Sequence, residues 1–174
     1  KNLSIVCFNE KQWIGNGLVI PSGPLREGLI ALKRAGCVMI NGEKNTDIEN
    51  RILSHNKEIK IFYSKYKAQN IDKFKNKKVT AFAGIGNPVN FFNLLKNNNI
   101  DILEEISFPD HYEYLDKELE NLIYKAKENH TILLTTEKDY FRINENYKKN
   151  INCLKIVVEI ENRNQFIEEI KKVI

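Results

Sequence analysis

Four short segments of this chain carry side chains suited to acid–base or phosphate chemistry. The first is SFPDHYEY, residues 107–114, where His111 follows Pro109-Asp110 at the exit of a strand-like run. Proline restrains the chain ahead of the histidine, and an imidazole beside a carboxylate can act as base or proton relay near neutral pH. An incidental loop histidine is the competing reading; His55 and His130, at a helix end and a helix exit, read as incidental. The second is GNGLVIPSGPLRE, residues 15–27. Arg26 and Glu27 fall in the expected first turn of a helix, where a guanidinium suits phosphate and a carboxylate suits Mg²⁺. A surface pair with the glutamate favoured by the helix dipole is the alternative.

The third segment is GIGNP, residues 84–88. Gly84 and Gly86 allow close backbone approach to a ligand, and Asn87 caps a helix whose N-terminal N–H groups suit an anion. Position 89 is Val, so the GxG lacks the third glycine of a dinucleotide fingerprint, and a tight turn packing a Phe91-Phe92 helix explains it equally well. The fourth is TTEKD, residues 135–139, which brings Lys138 and Asp139 into one turn. That composition suits helix capping and polar contacts at a site alike.

The elements that must position these segments alternate in type. LSIVCF (3–8), CVMIN (37–41), KIFYSKYK (60–67), KVTAFAGI (78–85), DILEEISF (101–108), TILLT (131–135) and CLKIVVEI (153–160) read as strands. Between them lie expected helices at 25–36, 46–55 with a Thr46/Glu49 capping box, 88–98 and 116–129, and an amphipathic helix at 163–173 closes the pattern. Leu119, Leu122, Ile123 and Ala126 mark the buried face of the 116–129 helix. Repeated βα units predict an α/β fold, a mainly parallel Rossmann-like sheet with helices on both faces. Ligands meet such sheets at the carboxyl ends of the strands, where all four segments fall. The polar stretch GEKNT, 42–46, reads as a hinge between a partial first domain and a complete second one.

The bulk composition narrows the function classes. With 42% hydrophobic and 29% charged residues, the 174-residue chain is globular in character and long enough for one ordinary α/β domain. No apolar run approaches the roughly 20 residues of a membrane span, and Lys1-Asn2 lead into a strand-like run and not into a secretory signal. Cys7, Cys37 and Cys153 are odd in number and lack CxxC spacing, which predicts reduced thiols in a cytoplasmic setting. Of the 27 basic residues behind the net charge of +4, 22 are lysines. Their runs at 74–78 and 148–149 read as solvated turns, so no nucleic-acid partner is expected, and a weak attraction to a membrane surface is the residual possibility.

Taken together and in order, GNGLVIPSGPLREGLIALKRAG, AFAGIGNPVNFF, FPDHYEY and LLTTEKD resemble the C-terminal half of the tetraacyldisaccharide 4'-kinase family of lipid A biosynthesis. The resemblance implies ATP-dependent phosphorylation of the 4'-hydroxyl of a lipid-linked glucosamine disaccharide, with Mg²⁺, at the cytoplasmic face of the bacterial inner membrane, the chain itself being soluble. By position, His111 resembles the family histidine that works with an aspartate of the N-terminal half near the acceptor hydroxyl. Glu27 resembles a metal-side carboxylate and Arg26 a phosphate-side contact; Gly84, Gly86, Asn87, Lys138 and Asp139 match family segments on the nucleotide side. The resemblance further implies that residues 1–44 are the C-terminal remnant of a P-loop kinase domain and 45–174 a C-terminal α/β domain.

Two departures stand out. This chain reads QWIGNG where family members commonly carry Arg-Gly, and GxxxxGK[ST] occurs nowhere in it. The P-loop half is therefore an expected missing partner, and the 174 residues alone are expected not to turn over ATP. A non-catalytic nucleotide-binding module using the GIGNP junction, with Glu104 or Glu105 toward a ribose, is the rival reading.

Overall fold

The computed structural model describes residues 3–172, so Lys1-Asn2 and the last residue of the expected 163–173 helix lie outside the described residues. The chain runs β1 (Ile5–Asn9), a 3-10 helix (Leu29–Arg34), β2 (Cys37–Asn41), α1 (Thr46–His55) and β3 (Lys60–Ala68). It continues with a 3-10 turn (Ile71–Lys73), β4 (Lys78–Ala83), α2 (Pro88–Asn97), β5 (Asp101–Ser107), α3 (Asp116–Glu128), β6 (Ile132–Thr136), α4 (Glu137–Arg142), α5 (Glu145–Lys148) and β7 (Asn152–Leu154). β8 (Ile156–Ile160) and α6 (Arg163–Lys171) follow. Two compact units result: Lys1–Lys67 with Val158–Ile174, and Ala68–Val157.

The first unit holds a four-stranded sheet in the order β1-β2-β3-β8, in which β1, β2 and β3 run parallel. Alternate residues of a strand face opposite ways, and β2 is apolar on both sides. Val38 and Ile40 pack with Leu32, Ile48, Ile52, Ile59 and Tyr63, while Cys37 and Met39 pack with Phe62. Phe166 of α6 meets Phe62 edge to face at 5.1 Å. The expected seam at 42–46 falls inside this unit because β2 pairs with β3 across it.

The second unit holds a parallel four-stranded sheet in the order β5-β4-β6-β7. Its central strand β4 is buried on both faces. Val79, Ala81 and Ala83 pack with Phe91, Phe92 and Leu95 of α2, and Phe82 packs with Leu119, Leu122, Ile123 and Ala126 of α3. Mainly parallel strands with covering helices agree with the sequence, and the strands form two sheets.

Three local expectations are corrected. Residues 153–160 do not form one strand, because the Asn70 side chain intercepts the backbone around Lys155. Asn70 Nδ2 donates to the Cys153 carbonyl at 2.9 Å, and the Lys155 N–H donates to Asn70 Oδ1 at 2.8 Å. The 25–36 helix shrinks to the 3-10 segment Leu29–Arg34, since Gly28 is extended and Leu25 is held in a bridge with Val19. Arg26 and Glu27 therefore precede the helix and do not lie in its first turn. The cap of α1 is Asn45 and not Thr46: its Oδ1 accepts from the N–H groups of Asp47 and Ile48, while Glu49 accepts instead from the Tyr63 hydroxyl at 2.9 Å.

The packing of α3 gives a direct test. Leu119 is fully buried against Phe82, whereas Leu115 is 64% exposed. Leu119→Ala is expected to lower unfolding free energy by about 2–5 kcal/mol in urea titrations, and Leu115→Ala by less than about 0.5 kcal/mol.

Candidate functional site

In the second unit, the carboxyl ends of three adjacent parallel strands each deliver one of the segments singled out by sequence. β4 leads into Gly84, β5 into the 108–115 loop and β6 into Thr136 and α4. Their common anchor is Asp139, which is fully buried. Its Oδ2 accepts from the Gly84 N–H at 3.1 Å and from the Thr136 hydroxyl at 2.7 Å. Thr136 in turn caps α4, its Oγ1 accepting from the Asp139 N–H at 3.2 Å. The TTEKD segment thus serves as a helix cap and as a polar junction at once.

Arg142 stands one turn after Asp139 on α4, at the i, i+3 spacing that brings side chains together. Its Nη1 lies 3.5 Å from Asp139 Oδ1 and donates to the Gly84 carbonyl at 3.2 Å. Its Nη2 lies 3.3 Å from His111 Nδ1. The His111 backbone N–H also donates to the Gly84 carbonyl, at 3.2 Å, and to Asp110 Oδ1 at 3.0 Å. His111 has a φ of +59°, a left-handed conformation uncommon outside glycine, so these bonds hold a strained turn in place. Its ring is 81% exposed, with Nε2 3.9 Å from Asp110 Oδ2.

Aromatic side chains fix the loop from beneath. Phe108, Tyr112 and Tyr114 contact one another with ring centroids 4.9–5.4 Å apart, and Phe108 and Tyr114 lie edge to face with Phe82 of β4. Glu118 ties the loop to α3, accepting from the Tyr112 hydroxyl at 2.7 Å and the Leu115 N–H at 2.9 Å. These bonds hold the Glu118 carboxyl below its ordinary value, the Tyr112 hydroxyl contributing most. Gly84 is required here for space. A Cβ on it would sit 2.9 Å from Tyr114 Oη, 3.1 Å from Tyr112 Cβ and 3.2 Å from the Pro109 carbonyl.

Tyr114 Oη and Asp139 Oδ1 are both buried and neither makes a hydrogen bond, while Oδ1 is ion-paired with Arg142 Nη1 at 3.5 Å. Burial first, and then the negative charge of Asp139, push the Tyr114 phenol well above its ordinary range, and the opposing pull of Arg142 is outweighed.

The other expected site residues are placed as follows. Asn87 caps α2, accepting from the Asn90 N–H at 3.4 Å, with Pro88 as the first helical residue. A Cβ on Gly86 would lie 3.3 Å from Asp110 Oδ2. Lys138 is exposed on α4. Arg26 and Glu27 belong to the first unit, where they line a cavity of about 760 Å³ with β1, Gln12, Trp13 and the 3-10 helix. Glu27 is exposed there and paired with Arg34. Gln12 and Trp13, which precede the GNG loop, form part of that cavity wall. Among the described residues no group of three or more His, Cys, Asp or Glu side chains could hold a metal ion.

Arg142 and Tyr114 escaped the sequence reading. Arg142 was recoverable from its spacing to Asp139, but Tyr114 depends on the fold bringing it under Gly84.

Two predictions follow from this packing. Gly84→Ala is expected to destabilise the unit by about 1–3 kcal/mol in chemical unfolding, with part of the loss recovered when Tyr114→Phe removes the closest contact. Alkaline stability gives the second. The Tyr114 phenol is raised in the folded state, so its contribution is complete below the ordinary tyrosine pKa of roughly 10 and is lost as pH rises further. Between about pH 10 and 11, Tyr114→Phe is expected to reduce the alkaline loss of unfolding free energy by up to about 1 kcal/mol, the ring being only partly enclosed.

Comparison with known proteins gives a consistent result. A family model described as tetraacyldisaccharide-1-P 4'-kinase matches residues 1–174. The tetraacyldisaccharide 4'-kinase of Pelagibacter ubique is 44% identical over 152 residues, covering 86% of this chain and 48% of that protein. That of Rickettsia akari is 39% identical over 173 residues, covering 99% of this chain and 52% of that protein. Among solved structures, an "apo" form of LpxK from Aquifex aeolicus in complex with ATP aligns with a TM-score of 0.68 at 26% identity, over 99% of this chain and 53% of that one. The chain spans about half the length of the curated relatives it matches. On a match that runs its whole length, the chain belongs to the tetraacyldisaccharide 4'-kinase family.

Proposed function

We propose that this chain is the C-terminal portion of an enzyme that transfers a phosphoryl group from ATP to the 4'-hydroxyl of a lipid-linked glucosamine disaccharide in lipid A biosynthesis. The reading rests chiefly on the family match across residues 1–174. It is supported by the way the strand ends of the second unit converge on His111. His111 is the residue assigned to the acceptor hydroxyl, in partnership with a carboxylate of the P-loop half. Its exposed ring on a braced turn suits contact with a group arriving from outside the unit.

On the nucleotide side, Arg26 and Lys138 are assigned to phosphate oxygens, and Glu27 would hold Mg²⁺, which neutralises developing phosphate charge when bound. Gly84 and Asp139 act differently from a direct nucleotide contact. The Gly84 N–H is engaged by the Asp139 carboxylate, so the two hold the junction together. Gly86 and Asn87 shape the turn into α2. The acceptor being lipid-linked, the reading includes peripheral contact with the cytoplasmic face of the inner membrane. No described helix is long and apolar enough to cross a membrane.

The rival nucleotide-binding module is less well supported. An anion at GIGNP would find the Gly84 N–H already taken by a buried carboxylate, Pro88 without an N–H, and the Asn90 N–H capped by Asn87. Glu104 and Glu105 lie in mid-strand on β5 and not at its carboxyl end, and Glu105 is paired with Lys96 at 2.7 Å.

The test is a chimera in which these residues replace the matching half of the Pelagibacter relative. It is expected to phosphorylate the disaccharide with ATP and Mg²⁺, and His111→Ala is expected to lower kcat by about 10²–10⁴. The 174 residues alone, which contain no GxxxxGK[ST], are expected to give no turnover. Turnover by the isolated chain, or a loss below tenfold in the His111 variant, would contradict the proposal.

A further inference from the structure

We infer that Arg142 is a positioning residue for His111, and that it fixes the imidazole in the tautomer that carries its proton on Nε2. The inference extends the catalytic role proposed above for His111, but its physical content stands on the second unit alone. A guanidinium has five N–H donors and no acceptor. Where Arg142 Nη2 approaches His111 Nδ1 at 3.3 Å, the ring nitrogen must therefore be the acceptor. An imidazole accepting at Nδ1 carries its hydrogen on Nε2, which here lies on the side of Asp110 Oδ2.

Arg142 is suited to impose this choice because its own position is determined from behind. Its Nη1 is held by the Gly84 carbonyl at 3.2 Å and stands 3.5 Å from the buried carboxylate of Asp139. That carboxylate is itself fixed by the Gly84 N–H and the Thr136 hydroxyl. The planar fork of an arginine can meet a carbonyl, a carboxylate and a ring nitrogen at once, whereas the point charge of a lysine cannot reproduce that geometry. The His111 backbone is bonded to the same Gly84 carbonyl, so ring and main chain share one reference point.

The consequence concerns the direction of the proton. In this arrangement His111 presents an N–H, not a lone pair, to whatever meets its exposed edge. The group it recognises is an acceptor: a carboxylate, a phosphate oxygen or the oxygen of a hydroxyl. In the proposed reaction His111 would then orient the carboxylate of the P-loop half or the acceptor oxygen by donating from Nε2, and the proton of the attacking hydroxyl would pass to that carboxylate.

The experiment is nitrogen-15 spectroscopy of the histidine rings in the 174-residue chain, about two pH units above the ordinary imidazole pKa of roughly 6.5. His55 and His130 serve as internal references. His111 is expected to be a single Nε2–H tautomer with a hydrogen-bonded Nδ1, distinct from the mixtures at the other two, and Arg142→Lys is expected to return it to a reference-like mixture. Retained dispersion of the backbone spectrum establishes that the variant is folded; should it unfold, the wild-type comparison of His111 with His55 and His130 decides alone. A proton on Nδ1, or populations matching the references in the wild type, overturns the inference. In the chimera, Arg142→Lys is expected to lower kcat about ten- to hundredfold with KM for ATP unchanged. An inactive chimera with the expected spectra counts against the proposed reaction and leaves the positioning role standing; an active chimera with the wrong tautomer does the reverse.

Discussion

The second unit is organised around one buried carboxylate. Asp139 has no exposure to solvent, and a group of that kind is costly to enclose unless its oxygens are met. Here they are met by two near neighbours and one distant residue: the Thr136 hydroxyl at the end of β6 and the Arg142 guanidinium on α4, each three residues away, and the Gly84 N–H after β4, 55 residues away. The requirement to satisfy Asp139 draws the ends of those strands together. The Gly84 carbonyl then binds the His111 backbone, which places the exposed imidazole where the sheet edge presents it. Removal of any one of these partners leaves a buried polar group without compensation, so the arrangement is expected to respond as a unit.

Around this polar centre the apolar packing has a complementary task. Phe82 reaches from β4 to both α3 and the aromatic residues of the 108–115 loop. The loop is therefore seated on the same core that stabilises the sheet. His111 can occupy a left-handed conformation because its neighbours on either side, Phe108 and Tyr112, are held by stacking and by Glu118. A strained residue at an exposed turn persists only where its surroundings over-determine it, and such turns concentrate at functional sites.

Much of this was legible in the residues themselves. Period and composition located nearly every strand, and the Asn87-Pro88 start of α2 and the apolar face of α3 agree with the sequence pattern. The errors share a cause. Leu25 and Gly28 have neighbours that suit a helix, yet the bridge to Val19 and the extended Gly28 hold them out of it. The apolar run at 153–160 reads as one strand, and only the side chain of Asn70, more than eighty residues away in sequence, divides it. At the site, the sequence pattern singled out the separate segments that carry His111, Gly84 and Asp139, each at the carboxyl end of a strand. It did not reveal that Gly84 is needed for space under Tyr114, or that Arg142 connects Asp139 to the imidazole, because both depend on contacts that only the folded sheet creates. The family match over residues 1–174 agrees with the resemblance that the four segments carry.

The central claim is that Asp139 holds the His111 turn in place through Gly84. Amide hydrogen exchange measured at Gly84 and His111 in the native protein and in Asp139→Asn tests it most directly. Loss of a charged hydrogen-bond acceptor should accelerate exchange at both amides by about tenfold or more, while amides of α3 near Leu119 keep their protection. Unchanged protection at Gly84 and His111 in the variant would contradict the account.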